Sequence, residues 1–568
     1  MEKWLVSMKK ADFKKIASLF HIDPITARLI RNRDYTELDD INKFLNGSKK
    51  DLYSPLKMKD MEKAADLLLR KINEKKSIRI IGDYDIDGVM STYILLRGLS
   101  RLGADVDERI PERIKDGYGL NESLVQAAYE DKKDTILTCD NGIAAYNQIE
   151  LARQLGLTVI VTDHHEVPFD PETLEQILPP ANAVVDPKQS SCSYPFKELC
   201  GAAIAWKLIE LLYQKCGIPM SECEDLMKFA AIATIGDVCD LRDENRIIVK
   251  EGLASLAYSE HRGLNALIRL NNLDPAAISA YHVGFVLGPC LNASGRLDTA
   301  QKALALMNSQ TDAEALSLAS ELFNLNVSRK SLTEEYTQKA IELVEGSQQK
   351  KDPVLVVYLP DCHESIAGII AGRLREKYHK PAFVLTDSGT EVKGSGRSID
   401  EFSMFQEMNK CKDLFTKFGG HPLAAGLSLP RENVPLFQNR INAGCTLTED
   451  DLLPKIHIDM PMPISYIRKD LVADIDKLKP FGKGNQKPLF AQKDLLVLHP
   501  TVVGKNKNVL RMQLTDENGF YIDGIYFGDA LVFFEYLKSH PKISIVYYPS
   551  INEFRGSSTL QVVITNYR

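Results

Sequence analysis

Three short apolar runs, each ending abruptly in acidic or histidine residues, limit what this chain can fold into more than any other feature. Ile78-Arg-Ile-Ile-Gly runs into Asp83-Tyr-Asp85-Ile-Asp87-Gly88, Thr135-Ile-Leu-Thr-Cys into Asp140-Asn-Gly, and Leu157-Thr-Val-Ile-Val-Thr into Asp163-His164-His165. Between them lie segments with apolar residues at helical spacing, such as Val89 to Leu102. Strands alternating with helices build a parallel sheet, buried on both faces, whose ligands collect at the carboxyl ends of the strands. All three polar clusters are therefore expected along one edge of one sheet.

Three carboxylates at alternate positions repel one another and raise each other's pKa unless cations neutralise them. A calcium loop is the competing reading of Asp-x-Asp-x-Asp-Gly, but Ile94 stands where the closing glutamate belongs, and the cluster follows a strand rather than a helix. Asp140 and the paired histidines add a mixture of oxygen and nitrogen donors suited to Mn²⁺, Mg²⁺ or Zn²⁺. Asp237 closes another apolar run, Ala230-Ala-Ile-Ala-Thr-Ile-Gly; alone it reads as a helix cap.

The chain is too long, at 568 residues, for one core. Residues 1–50 read as a small helical cap and 51–306 as the α/β lobe just described. Between Thr311 and Val344 apolar residues recur at three- and four-residue steps (Ala315, Leu318, Leu322, Leu325, Leu332, Tyr336, Leu343), with Thr311 and Glu314 placed for a capping box and Gly346 for the stop. This predicts a long connecting helix within 307–350. A second α/β lobe is expected over 351–450, starting at Val354-Leu-Val-Val-Tyr-Leu. Residues 451–568 carry short alternating strands and the turn signal Asp516-Glu-Asn-Gly, which suggests a small β-barrel.

No stretch approaches the ~18 apolar residues of a membrane span, and the start lacks a signal-peptide pattern, so a cytoplasmic protein without membrane contact is expected. The ten cysteines show no CxxC pair and are expected to be reduced. A net charge of −7 argues against coating of nucleic acid by bulk electrostatics, yet residues 481–568 hold ten Lys/Arg against seven Asp/Glu, a local +3.

The motifs Asp83-Tyr-Asp-Ile-Asp-Gly, Asp140-Asn-Gly, Asp163-His-His and Gly236-Asp-Val, in this order, resemble the four motifs of DHH phosphoesterases. Gly394-Ser-Gly-Arg-Ser and Phe418-Gly-Gly-His-Pro-Leu-Ala-Ala-Gly-Leu resemble the DHHA1 domain. Within the superfamily, the segment from Arg109 to Asn121, Leu291-Asn-Ala-Ser-Gly-Arg, and His363-Glu-Ser-Ile-Ala-Gly-Ile-Ile-Ala-Gly-Arg resemble the RecJ group. The resemblance covers roughly residues 50 to 568. It implies a parallel-sheet DHH lobe and a smaller α/β DHHA1 lobe joined by a long helix, with a C-terminal OB-type β-barrel.

The same resemblance implies a 5′→3′ exonuclease specific for single-stranded DNA, releasing 5′-mononucleotides in repair and recombination with two divalent ions, Mn²⁺ or Mg²⁺. By that resemblance Asp83, Asp85, Asp87, Asp140, His164 and Asp237 hold the metals, with Asp140 as the bridge, and His165 faces the scissile phosphate. Arg113, Tyr118, Asn292, Arg296, His363, Ser365, Arg373 and Arg397, with Gly419, Gly420 and His421 on a glycine-rich loop, are expected to bind phosphate or substrate. Lys505, Lys507 and Arg511, beside Tyr526 and Phe527, are expected to form a single-strand groove. Implied partners are a RecQ-type helicase and a single-stranded-DNA-binding protein, and a monomer is expected. Cys290 departs from the family's usual arginine, so one phosphate or structural contact is missing or replaced there. Cys139 is read as an apolar neighbour of Asp140. Two other readings stay open: a DHH phosphodiesterase for short oligoribonucleotides or cyclic dinucleotides, and a non-catalytic DHH scaffold of a replication assembly.

Overall fold

A computed structural model describes residues 2–113, 115–170, 172–554 and 556–568. Met1 and Ile114, the latter within the RecJ-like segment from Arg109 to Asn121, lie outside the described residues.

In the first lobe the strands Asp105–Arg109, Ser77–Ile81, Thr135–Cys139, Thr158–Thr162 and Ala183–Val185 lie side by side in that order, and every pair is parallel. In chain order this is 2-1-3-4-5. The winding reverses between Ser77–Ile81 and Thr135–Cys139, and such a switch point opens a crevice outside the carboxyl ends of the two strands. Both strands are buried almost throughout, including Arg79, whose guanidinium is paired with Asp107 and Asp131. Helices Ile86–Arg101, Gly201–Cys216 and Met220–Gly236 pack together in the main core of this lobe.

The 34-residue helix Asp312–Glu345 spans about 50 Å. The Thr311 hydroxyl accepts from the Glu314 amide (3.2 Å), and Glu314 in turn accepts from the Gln310 amide (2.9 Å), one residue earlier than in a full capping box. Ala315, Ala319 and Leu322 belong to the first lobe's core, whereas Ala340 and Val344 belong to the second's. The second lobe is a mixed sheet in the order Lys417–His421, Ala424–Leu429, Glu391–Arg397, Ala382–Ser388, Leu355–Tyr358. The glycine-rich segments expected as loops are strands: Gly419 pairs with Gly426, and Gly394 with Leu427. Gly419 and Gly426 leave the sheet surface low and open, whereas a Cβ at buried Gly394 would stand 2.4 Å from the Leu385 side chain.

Strands Phe490–Val503, Val509–Thr515, Tyr521–Phe527, Ser557–Tyr567 and Lys542–Phe554 form the C-terminal sheet, and the last pairs back with the first to close a barrel. At the Asp516 turn the carboxylate accepts from the amides of Asn518 (3.0 Å) and Phe520 (2.9 Å). Helices Phe13–Phe20, Pro24–Asn32 and Leu38–Asn46 share the barrel's core: Leu29, Ile30, Ile41 and Phe44 pack in one cluster with Leu471, Phe490 and Phe533. Two buried arginines tie the parts together. Arg33 donates to Asn485 Oδ1 (2.6 Å) and the Leu29 carbonyl (2.7 Å). Arg246 donates to the carbonyls of Phe44 (2.8 Å), Leu478 (2.8 Å) and Lys477 (3.1 Å) while lying over the Phe44 ring. Among the described residues no helix is long and apolar enough to cross a membrane.

Candidate metal centre and substrate cleft

The crevice at the switch point is filled by acidic side chains, each placed by a local backbone device. Asp85 caps helix Ile86–Arg101, accepting from the amides of Asp87 (2.9 Å) and Gly88 (3.2 Å). Asp87 sits on the N-terminus of helix Gly201–Cys216, accepting from the Gly201 (2.7 Å) and Ala202 (2.8 Å) amides. Asp140 is held with φ 60°, a left-handed conformation that aspartate tolerates better than most residues. Asn141 locks this turn by donating to the carbonyls of Ile81 (3.1 Å) and Cys139 (2.9 Å), the ends of the two strands that flank the switch point. Gly201 is glycine for space, because a Cβ there would stand 2.7 Å from the Asp140 Cβ.

His164 Nε2 lies 3.0 Å from Asp140, 3.4 Å from Asp87 and 4.0 Å from Asp237. The potential ligands fall into three overlapping sets, Asp83/Asp85/Asp140, Asp87/His164/Asp237 and Asp140/His164/His165, with the atoms of each set within 4.8 Å of one another. Two sets share Asp140 and two share His164. Desolvation and mutual repulsion push Asp83 up to about 8 and raise Asp85, Asp87 and Asp140 as well. Asp83 Oδ2 is buried without a hydrogen-bond partner among the described residues. Buried, repelling carboxylates with an orphaned oxygen and an imidazole fit hard or borderline divalent cations. Cys139 is buried beside Thr92, and burial pushes its thiol up to about 12, which makes it an inert neighbour.

Asp163 points away from these sets and works as a brace. It accepts from the amides of Ile143 (2.8 Å), His164 (2.7 Å) and His165 (3.2 Å) and from His165 Nδ1 (2.7 Å). Desolvation works against both charges, but this pairing prevails, holding Asp163 down to about 2 and His165 up to about 9.

Above the metal sets the two lobes enclose a cleft of ≈ 430 Å³, with Tyr84, Arg113 and Tyr118 on one wall and Lys393, Lys417 and Gly419 on the other. Arg113 stacks 4.8 Å from the Tyr84 ring centroid. Arg296, one turn beyond Asn292 on helix Gly288–Leu297, crosses between the lobes to donate to the Ser365 carbonyl (2.7 Å). His363 caps helix Glu364–Tyr378 and meets the Ser365 hydroxyl (2.7 Å); Arg373 lies on the same helix. Arg397 approaches Gly368 of that helix. Among the described residues none of Arg113, Arg296, Arg373 and Arg397 is ion-paired with a carboxylate. Burial and the charges of Arg113, Arg329 and Arg397 lower Arg296 to about 10. Gly420 and exposed His421 end the strand at the cleft's margin. Lys505, Lys507 and Arg511 lie apart from the cleft, on the Phe490–Val503/Val509–Thr515 hairpin of the barrel. Cys290 is fully buried, and its sulfur receives a hydrogen bond from Asn326 (3.3 Å).

Sequence reasoning missed several features. Asp186, at the end of the fifth parallel strand, is buried and is pushed up to about 8 by desolvation and Asp163; its place after an apolar run was the available signal. Tyr84, inside the first motif, lines the cleft. A second groove, ≈ 1160 Å³, leads from the backbone beside Asp237 to the barrel, lined by Tyr281, Phe285, Phe481 and Tyr548 with Lys250, Lys479, Lys483 and Lys487. Tyr281 and Phe285 are exposed and stacked.

Comparison with known proteins finds three family matches along the chain. Residues 77–234 match the model of the DHH family, N-terminal domain, residues 351–446 the DHHA1 domain, and residues 458–566 the RecJ OB domain. The single-stranded-DNA-specific exonuclease RecJ of Bacillus subtilis is 37% identical over 567 residues, which is 99% of this chain and 70% of the relative. The protein of the same name from Escherichia coli is 31% identical over 99% of both chains. The crystal structure of RecJ in complex with Mn²⁺ from Thermus thermophilus superimposes with a TM-score of 0.85 at 27% identity, covering 100% of this chain and 79% of that one.

Proposed function

The chain belongs to the RecJ family of single-stranded-DNA-specific exonucleases, and from that premise we propose that it removes 5′-mononucleotides from single-stranded DNA, working 5′ to 3′ with two divalent cations, Mn²⁺ or Mg²⁺, in DNA repair and recombination. The observation that carries this reading is the convergence of Asp83, Asp85, Asp87, Asp140, His164 and Asp237 into overlapping ligand sets beneath a cleft lined by Arg113, Lys393 and Lys417.

Those six residues would hold the ions, with Asp140 shared. Bound there, paired divalent cations supply Lewis acidity to the phosphoryl oxygens and a nucleophile at neutral pH. The protein's own part is to fix the phosphate. His165, kept protonated by Asp163, directs Nε2–H toward the cleft, where the Tyr118 hydroxyl stands 2.9 Å away; a non-bridging phosphate oxygen placed there would receive a charge-assisted hydrogen bond. Arg113, Arg296, Arg373 and Arg397 offer guanidinium forks to terminal and backbone phosphates, His363 and Ser365 hold the start of the helix that carries Arg373, and Asn292, whose Oδ1 has no partner among the described residues, offers a further polar contact. Gly419, Gly420 and His421 border the strand's seat. The aromatic and lysine groove beside Asp237 suits stacked bases with their backbone phosphates, and Lys505, Lys507 and Arg511 extend the contact onto the barrel. We place the protein in the cytoplasm as a monomer, working with a RecQ-type helicase and a single-stranded-DNA-binding protein.

The test is digestion, with Mn²⁺, of single-stranded oligonucleotides labelled at either end. The 5′ label should appear at once as a mononucleotide, and an Asp140→Asn variant should release nothing. Blunt duplexes should resist while 5′-tailed ones are cut. Cleavage of dinucleotides or cyclic dinucleotides, with oligonucleotides left whole, would overturn the reading.

A further inference from the structure

The long helix carries a guanidinium that the sequence motifs do not mark. Arg329 lies at the changeover of the helix, between Leu322, which packs in the first lobe, and Ala340, which packs in the second. Its Nε and Nη2 donate to one acceptor, Asn326 Oδ1, at 3.1 and 2.9 Å. Asn326 is itself buried, and its amide donates to the Cys290 sulfur (3.3 Å), inside the first lobe's core. The chain Cys290–Asn326–Arg329 therefore anchors a cation from within the protein. A surface arginine needs no such anchor; long cationic side chains gain entropy by staying free.

The surroundings are cationic. Arg329 contributes to the lowering of Arg296, the residue that crosses between the lobes, and Arg329 is itself lowered by burial and by Arg373. Among the described residues no carboxylate is ion-paired with Arg329, Arg296 or Arg373. Arg329 and Arg296 are both partly buried and neither has a carboxylate partner among the described residues, so their like charges repel, and a polyanion between the lobes removes that repulsion.

We infer that Arg329 is a phosphate-binding residue for the DNA strand, with Asn326 as its positioning residue, anchored on Cys290. The inference rests on the proposed exonuclease reading and adds a contact from the connecting helix to those of the two lobes.

The test measures the salt dependence of binding of a 5′-phosphorylated single-stranded oligonucleotide in EDTA, and steady-state kinetics with Mn²⁺, for the full-length protein and the variants Arg329→Gln, Arg329→Lys and Asn326→Ala. Loss of one phosphate contact to a single strand lowers the slope of log K against log salt by about 0.7. Arg329→Gln should show that drop, with KM raised about tenfold and kcat within about twofold. Arg329→Lys should keep the wild-type slope, and Asn326→Ala should raise KM with the slope kept. An Arg329→Gln protein with wild-type slope and KM overturns the inference while leaving the exonuclease reading intact, as does an Arg329→Lys protein that loses the slope as fully as Arg329→Gln. A wild-type protein that neither binds nor cuts the oligonucleotide overturns both.

Discussion

Nδ1 of His165 lies 2.7 Å from Oδ1 of Asp163, a carboxylate that takes no place among the metal-ligand sets although it stands in the same motif. The chain thus divides one tripeptide between two tasks: His164 turns toward Asp140, Asp87 and Asp237, and Asp163 turns back to hold His165 charged.

Replacing Asp163 with Asn removes that charge and sets an amide donor against the buried amides that Asp163 now satisfies. We expect kcat to fall roughly 10–100-fold, the range for residues that orient a metal site from behind, with Mn²⁺ affinity changed in the same direction. A variant with wild-type kcat would show that His165 needs no brace.

Asp140→Asn keeps the left-handed turn, because asparagine tolerates that conformation. In EDTA the variant should unfold at the same temperature as the wild type or higher, since one of several repelling carboxylates is gone. With Mn²⁺ at a hundred times its dissociation constant the wild type should gain about 2.7 kcal/mol and the variant much less. Equal gains, followed by differential scanning fluorimetry, would remove Asp140 from the ligand set.

Gly201→Ala places a methyl group 2.7 Å from the Asp140 Cβ and 3.1 Å from Asp87 Oδ2. The helix that begins there must shift, at about 1–3 kcal/mol, and displacement of two carboxylates of the proposed ligand set should lower kcat by about 10²-fold. Full activity with normal stability would mean that the helix start yields without moving either aspartate.

His261 gives the protein a defined acid sensitivity away from the metal centre. Its Nδ1 accepts the Leu264 amide at the start of helix Arg262–Leu270, and Nε2 lies 2.9 Å from the Met307 carbonyl. Desolvation, and then Lys228, depress it to about 4. Since the folded pKa is below the unfolded value of about 6.5, this contribution is complete above pH 6.5 and is lost as pH falls toward 4, up to about 3 kcal/mol. His261→Asn, which keeps the cap, should flatten the decline in urea midpoint between pH 6.5 and 4.5. An unchanged slope would place the acid sensitivity elsewhere.

The parallel sheet, the gathering of carboxylates and histidines at its strand ends and the long helix were legible because each is written locally: apolar runs end in donors, and helical spacing persists across Asp312–Glu345. The glycine-rich segments misled because a strand of Gly, Ser and Ala shows no alternation of side chains to read. Arg329 was invisible for the opposite reason: on a helix pattern a lone arginine looks solvated, and only its partners Asn326 and Arg296 give it meaning. Tyr281 and Phe285 carry no motif, and their exposure follows from packing that no local pattern encodes.

The helices of the first 46 residues complete their core only with the barrel, and Arg33 meets Asn485 across 452 positions of sequence. During synthesis at about 5–20 residues per second, the apolar faces of those helices would emerge roughly 20 to 90 seconds before their partner strands. The nascent chain carries this uncovered surface until the barrel strands are made, so helices Phe13–Phe20, Pro24–Asn32 and Leu38–Asn46 stay open to chaperones throughout that interval.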